Sequence, residues 1–285
     1  MQLIDGKTLS QKVRNFVHAE VEILKTEKNI VPGLAVVIVG DDPASHAYVT
    51  MKEKACKAVG FYSITHKMPN SISQDGITNI ITMMNKNPHI HGILIQLPLP
   101  KHIDTDSLLE VIDPKKDVDG FHPYNVGRMV TKLDSFVACT PLGVMKMFEE
   151  YDIELEGKDV VIVGASNIVG KPMASLLLNA NATVTVTHIY TKDLARHTRE
   201  ADIVIVGVGI PNLITEDMVK EGAVVIDIGI NRLENGSLVG DVDFEAVAPK
   251  CSYITPVPGG AGPMTIAMLL ENTLKSAKQF GEVQV

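Results

Sequence analysis

Short apolar runs rich in valine and isoleucine alternate along this chain with stretches in which apolar residues recur every three or four positions. Continuous apolarity suits a strand covered on both faces, and the longer period suits a helix with one buried stripe. The pattern predicts strands at 34–39, 92–95, 160–163, 183–187, 203–206, 224–228 and 252–255, with helical stretches between most of them. Strands alternating with helices imply parallel strands joined by crossovers, so the fold class is α/β.

Between 113 and 141 the periodicity lapses into turns and polar residues, PKKDVDGFHPYNVGRM, before Pro141 opens the apolar helix LGVMKMFEEY. Proline in a first helical turn is a good start signal. This interruption predicts a substrate domain over 1–140 and a nucleotide-binding domain over 141–263, with the last helix, 264–285, free to pack back on the first domain. PVPGGAGP at 256–263 is the strongest loop signal, and it ends where the helix MTIAMLLENTL begins.

In VVIVGASNIVGKP a buried strand runs straight into a glycine turn that opens a helix. Glycine lets backbone approach a pyrophosphate, and the free amides of a helix N-terminus supply donors and a positive dipole end. Gly164 and Gly170 bracket the turn. The match to G-x-G-x-x-G is imperfect, because Ser166 holds the second glycine position and the last glycine comes one residue late. A plain tight turn between strand and helix reads the same way.

Composition narrows the partners. The net charge of −8 comes without a long run of lysine or arginine, which argues against general affinity for nucleic acid. The N-terminus MQLIDGKTLSQKVRNF lacks the apolar core of a signal peptide, and no apolar run approaches a membrane span. A cytoplasmic protein with no membrane partner is expected. Cys56, Cys139 and Cys251 are odd in number and far apart, and the nine histidines show no ligand spacing. Buried thiols and no metal are expected.

Candidate chemistry begins with Tyr48 and Lys52, four apart in the helical stretch SHAYVTMKEKACKAVG and therefore on one face. A lysine serves as a base only when neutral, a form that burial or cationic neighbours favour. The plainer reading is a solvated face shared with Lys54 and Lys57. Gln96 follows the buried run GILI, placing an amide at the carboxyl end of a strand, where open α/β sheets put ligand groups; its plainer role is to cap that end. Asp117 and Asp119 in KKDVDGFHP suit ordinary turn chemistry, or a carboxylate accepting two hydrogen bonds from the edge of a pterin or purine.

Together PASHAYVTMKEKA, GILIQLPLP, KDVDGFHPYNVGR, CTPLGV, VVIVGASNIVGKPMA, VIDIGINR and TPVPGGAGPMT resemble the bifunctional methylenetetrahydrofolate dehydrogenase/cyclohydrolase family. The likeness runs in order from LIDGK to ENTL. It implies an N-terminal folate-binding domain and a C-terminal Rossmann-type domain, with an active-site cleft between them. It implies that 5,10-methylenetetrahydrofolate gives hydride to NADP and that the resulting methenyl cation is hydrolysed to 10-formyltetrahydrofolate. A cyclohydrolase or dehydrogenase alone is the alternative.

By the same resemblance Lys52 is the central catalytic residue, Tyr48 lines the folate, Gln96 hydrogen-bonds the lysine and Asp119 holds the pterin. Pro258 and Gly259 border the folate. Gly164, Ala165, Ser166, Ile189 and Ile230 fall at the cofactor, and the protein is expected to be a homodimer. The chain departs from the commonest pattern at Ala165, where many members carry arginine, and near Ile189 and Tyr190, where serine or arginine helps to hold the NADP 2′-phosphate. A Rossmann acid about twenty residues after the glycine turn favours NAD, and none stands at 188–190. NADP is therefore expected, with NAD the alternative and Lys192, Arg196 or protonated His188 as substitute anchors.

Tyrosine and lysine four apart are also found in short-chain dehydrogenases. There the glycine turn comes first, whereas here the pair precedes Gly164 by over a hundred residues. A silent folate- or nucleotide-binding protein is a third reading, against which the joint presence of Tyr48, Lys52, Gln96 and Asp119 weighs.

Overall fold

The computed structural model describes residues 1–282, and the chain divides into two compact units. One comprises Lys12–Arg128, Asp134–Cys139 and the chain from Ile266 on; the other comprises Met1–Gln11, Met129–Leu133 and Thr140–Thr265.

The first unit is built on a three-stranded parallel sheet with Gly33–Val39 between Tyr62–Met68 and Gly92–Ile95. Every residue of Gly33–Val39 and Gly92–Ile95 is buried, as their unbroken apolar runs require. Ala35, Val37, Ile93 and Ile95 pack with Ile77, Ile81 and Met84 of helix Gln74–Lys86 and with Leu108 of helix Thr105–Val111. Ser73 and Asp104 cap these helices, accepting from the amides of Gly76 and Ser107. Tyr62–Met68 was not foreseen: it is an edge strand with mostly half-buried residues, and YSITHKM carries no apolar run.

Lys116 shows how this unit fixes the loop that follows it. The residue is 2% exposed, and its Nζ donates to the carbonyls of Met84 (3.2 Å), Asn85 (2.8 Å) and Asn87 (2.8 Å) at the end of helix Gln74–Lys86. The buried cation is thus paired with carbonyls at a helix C-terminus, two of which also accept from the amides of Asn87 and Ile90. The Lys116 carbonyl accepts from the Ile93 amide at 2.8 Å, tying the start of the Asp117–Asp119 turn to the sheet.

The second unit holds a six-stranded parallel sheet ordered Gln2–Leu3, Tyr253–Ile254, Val224–Asp227, Ile203–Val206, Asp159–Val163 and Thr183–Thr187. Ile203–Val206 and Val224–Asp227 are fully buried, while Thr183–Thr187 lies at the edge and alternates threonine with half-exposed valine. The first residues of the chain group with this unit, whereas the pattern along the sequence sets the first domain at 1–140. The cause is backbone pairing: Gln2 and Leu3 add a parallel strand beside Tyr253 and Ile254. Two residues are too few to show a period. The short antiparallel pair Asn231–Arg232 and Leu238–Val239 escaped for the same reason. Among the described residues no helix is long and apolar enough to cross a membrane.

Lys116→Met keeps the apolar stem and removes the ammonium, so the carbonyls of Met84, Asn85 and Asn87 lose the charged donor they share. The expected loss of folding stability is about 2–4 kcal/mol, read as a lower urea midpoint with unchanged slope.

Candidate active site

Lys52 lies on helix Pro43–Ala58, which begins four residues beyond strand Gly33–Val39. Asp42 caps it by accepting from the Ser45 amide at 2.7 Å, and Pro43 occupies its first turn. The helix starts at the carboxyl end of the central strand and carries Tyr48 and Lys52 on one face. Tyr48 is 37% exposed, and Lys52 is half-buried.

Gln96 directly follows strand Gly92–Ile95, and its amide donates to the Val37 carbonyl at 2.8 Å. Its side-chain Nε2 donates to the Leu97 carbonyl at 2.8 Å, which turns Oε1 towards the lysine. Lys52 Nζ donates to that oxygen at 3.0 Å. Residues 44 apart in sequence thereby meet at the carboxyl ends of two adjacent strands.

The two aspartates of the following turn separate into distinct roles. Asp117 is buried and accepts from the amides of Phe121 (3.2 Å) and His122 (2.9 Å) and from Asn125 Nδ2 (2.8 Å). Burial pushes its carboxyl upward against the pull of these donors. Asp117 is therefore the turn-former. Asp119 lies beside the Cys139 thiol and feels the Lys52 charge; burial pushes its carboxyl up to about 6, and Lys52 opposes that rise. Gly120 permits the arrangement, because at φ +73° a Cβ there would stand 2.5 Å from the backbone of Val137 and Ala138.

Two contributors were missed by the sequence reading. Cys139, taken as one of three buried thiols, is buried as expected but sits against Asp119, and burial pushes its thiol well up. Cys56 and Cys251 are pushed up to about 12 and about 11, so all three stay protonated at neutral pH. Asn272 is buried, and its Nδ2 bridges the carbonyls of Val118 (2.9 Å) and Val137 (3.0 Å), holding the Asp119 turn to the segment before Cys139. An asparagine inside the apolar helix MTIAMLLENTL was the available signal.

Pro258 and Gly259 lie in the other unit, where the Gly259 carbonyl accepts from the Lys7 amide at 2.9 Å. That unit also carries the glycine turn. Gly164, at φ +119°, has no room for a side chain, since a Cβ would stand 2.7 Å from the Gly207 carbonyl oxygen; at Gly170 it would stand 2.0 Å from the Gly164 oxygen. Ser166 Oγ accepts from the amides of Val169 (3.2 Å) and Gly170 (3.4 Å) at the start of helix Gly170–Asn179.

Ala165 is half-buried in the same turn. Ile189 and Tyr190, 91% and 86% exposed, follow strand Thr183–Thr187, and Ile230, 41% exposed, follows Val224–Asp227. The sheet order thus places Gly164, Ile189 and Ile230 at carboxyl ends within one parallel sheet. Among the described residues no cluster of histidine, cysteine, aspartate or glutamate could hold a metal ion.

Residues 4–119 match the family model of the tetrahydrofolate dehydrogenase/cyclohydrolase catalytic domain, and residues 138–281 match that of its NAD(P)-binding domain. A bifunctional protein FolD from Sulfurovum sp. (strain NBC37-1) is 80% identical over 279 residues, covering 98% of this chain and 99% of the relative. The crystal structure of the bifunctional enzyme FolD from Campylobacter jejuni superposes with a TM-score of 0.97 at 57% identity, covering 98% of this chain and 99% of the other. The Trypanosoma brucei methylenetetrahydrofolate dehydrogenase-cyclohydrolase, solved with NADP cofactor and inhibitor, gives 0.95 at 38% identity, covering 99% of this chain and 98% of the other. With both halves matched in order, this chain belongs to the tetrahydrofolate dehydrogenase/cyclohydrolase family.

Proposed function

We propose that this chain oxidises 5,10-methylenetetrahydrofolate with NADP to the 5,10-methenyl cation and then hydrolyses that cation to 10-formyltetrahydrofolate. The observation that carries the reading is the Lys52–Gln96 hydrogen bond at the strand ends, with Asp119 near enough to feel the lysine. All three residues lie within the stretch that matches the catalytic domain.

The residues of the glycine turn fit a dinucleotide. Backbone occupies the space where a Cβ at Gly164 or Gly170 would go, so the chain is drawn in where helix Gly170–Asn179 presents its first amides. NADP, when bound, supplies the acceptor for hydride. No carboxylate at 188–190 opposes its 2′-phosphate.

Both steps call on Lys52 to give up the charge that Asp119 feels and to act as the amine. Loss of hydride leaves positive charge on the folate, which an ammonium would oppose and an amine does not. Gln96 Oε1 takes one Nζ–H and thereby fixes where the amine's remaining valences point. In the second step that amine takes a proton from the water attacking the methenyl carbon. Asp119, as carboxylate, accepts two hydrogen bonds from the pterin edge, and the Tyr48 ring lines the folate one helical turn from the amine. Pro258 and Gly259 border the folate, and Ile230 approaches the nicotinamide. The protein acts in the cytoplasm as a homodimer. Its pairing is assigned to the nucleotide unit, where edge strand Thr183–Thr187 leaves one side of its backbone without a strand partner.

Initial rates with 5,10-methylenetetrahydrofolate and NADP or NAD, following reduced cofactor and methenyl decay together, test the proposal. Reduction of NADP with rapid methenyl loss is expected; methenyl loss without reduction would remove the dehydrogenase half. In Lys52→Met, methenyl hydrolysis should drop by about 100-fold or more, the usual worth of a general base. NADP affinity, measured by titration, should stay unchanged.

Asp119 sets a pH limit on folate binding. Its folded value of about 6 lies above the ordinary carboxyl value, so the folded protein gains a proton there as pH falls through about 6. The protonated acid loses an acceptor, and the KM for methenyltetrahydrofolate should rise below that pH. The stability consequence runs the other way: the neutral acid favours the fold below about 4, and this contribution is lost as pH rises through about 6. Asp119→Asn should show the high KM at every pH; a KM profile like that of wild type would remove Asp119 from the pterin.

Ile189→Arg places a guanidinium beside the expected 2′-phosphate. Preference for NADP over NAD, compared as kcat/KM, should rise by about tenfold, the worth of one charge-assisted hydrogen bond.

A further inference from the structure

We propose that Asp241 is the positioning residue of the nucleotide half, its carboxylate clamping the loop after strand Ile203–Val206 to the loop after strand Val224–Asp227. The inference rests on the dehydrogenase reading and identifies what holds that site in shape.

Asp241 has no exposed surface. One carboxylate oxygen accepts from the amides of Val208 at 2.6 Å and Gly209 at 2.9 Å, and the other accepts from Asn231 Nδ2 at 2.8 Å. Both loops stand at carboxyl ends of adjacent strands, the edge of an open α/β sheet that takes ligands. The clamped residues flank the expected cofactor contacts. Gly207 packs its carbonyl against Gly164 of the glycine turn, and Ile230 lies between Gly229 and Asn231. A shift of Val208 and Gly209 therefore moves the wall against which Gly164 rests.

A second aspartate holds the clamp. Asp227 accepts from the amides of Asp241 at 3.1 Å, Val242 at 2.9 Å and Gly229 at 2.9 Å. Two glycines make room for the carboxylates: a Cβ at Gly229 would stand 2.2 Å from Asp241 Cγ, and one at Gly240 would stand 1.8 Å from Asp227 Oδ2. Burying a carboxylate is costly unless donors surround it, and closing two loops does not require one. The donors here are amides of the two loops, so the charge is spent on fixing their separation.

Asp241→Ala removes the clamp, and Asp241→Asn conserves it, because Oδ1 can face the two amides while Asn231 turns its own amide to accept. Three readouts are taken on each full-length variant: NADPH affinity by fluorescence titration, methenyl hydrolysis without nucleotide, and thermal midpoint. Asp241→Ala should weaken NADPH by about tenfold or more with hydrolysis within about twofold of wild type, and Asp241→Asn should restore affinity to within about threefold. Unchanged NADPH affinity in folded Asp241→Ala overturns the proposal, as does parallel loss of NADPH binding and hydrolysis. If Asp241→Ala does not fold, Asn231→Ala decides: weaker NADPH with intact hydrolysis supports the clamp, and unchanged affinity overturns it. Wild type that binds no NADPH would refute the dehydrogenase reading itself, a result separate from either.

Discussion

Parallel strands covered on both faces leave only their ends for chemistry, and that constraint organises each unit of this protein. Gly33–Val39 and Ile203–Val206 carry nothing but apolar side chains, since each polar group inside would need a partner the packing does not supply. Gln96 and Gly164 follow a strand directly, and Ile189, Ile230 and the start of the helix bearing Lys52 come within four residues of one. Open α/β sheets take their ligands at this edge.

Loops at such an edge have no ladder to fix them, and here a small set of buried polar side chains takes the ladder's place. Lys116 gathers three carbonyls, Asp117 two amides and an asparagine, Asn272 two carbonyls, and Asp227 and Asp241 five amides between them. Each group is satisfied almost entirely by backbone, so removing one strands several partners and moves a segment. The loops inherit a fixed shape from these buried side chains. Asp119 stands out because the backbone donors of its turn are taken by Asp117, which leaves its own carboxylate to the Cys139 thiol and the Lys52 charge.

Much of the fold was legible along the chain because its strands are buried on both faces. The runs at 34–39, 92–95, 183–187 and 203–206 fall on strands within one residue at each end, and GILIQ placed Gln96 correctly at a strand terminus. Tyr62–Met68 was illegible because an edge strand does not need an apolar run, and Gln2–Leu3 because its partner lies 251 residues away.

Sequence alone determined what depends on local pattern: an α/β chain, a glycine turn between strand and helix, a tyrosine and a lysine one turn apart, and, through ordered motifs, the family. Only the tertiary structure decided which carboxylate of KDVDG is held by backbone amides and which faces Lys52 and Cys139, that Gln96 turns its oxygen to Lys52, and that Asn272 holds the turn carrying Asp119. Periodicity is written by neighbours a few residues apart, whereas a hydrogen bond between distant residues depends on where the whole chain has brought them. The two aspartates of one turn have the same local sequence signal, and their different partners gave them different chemistry.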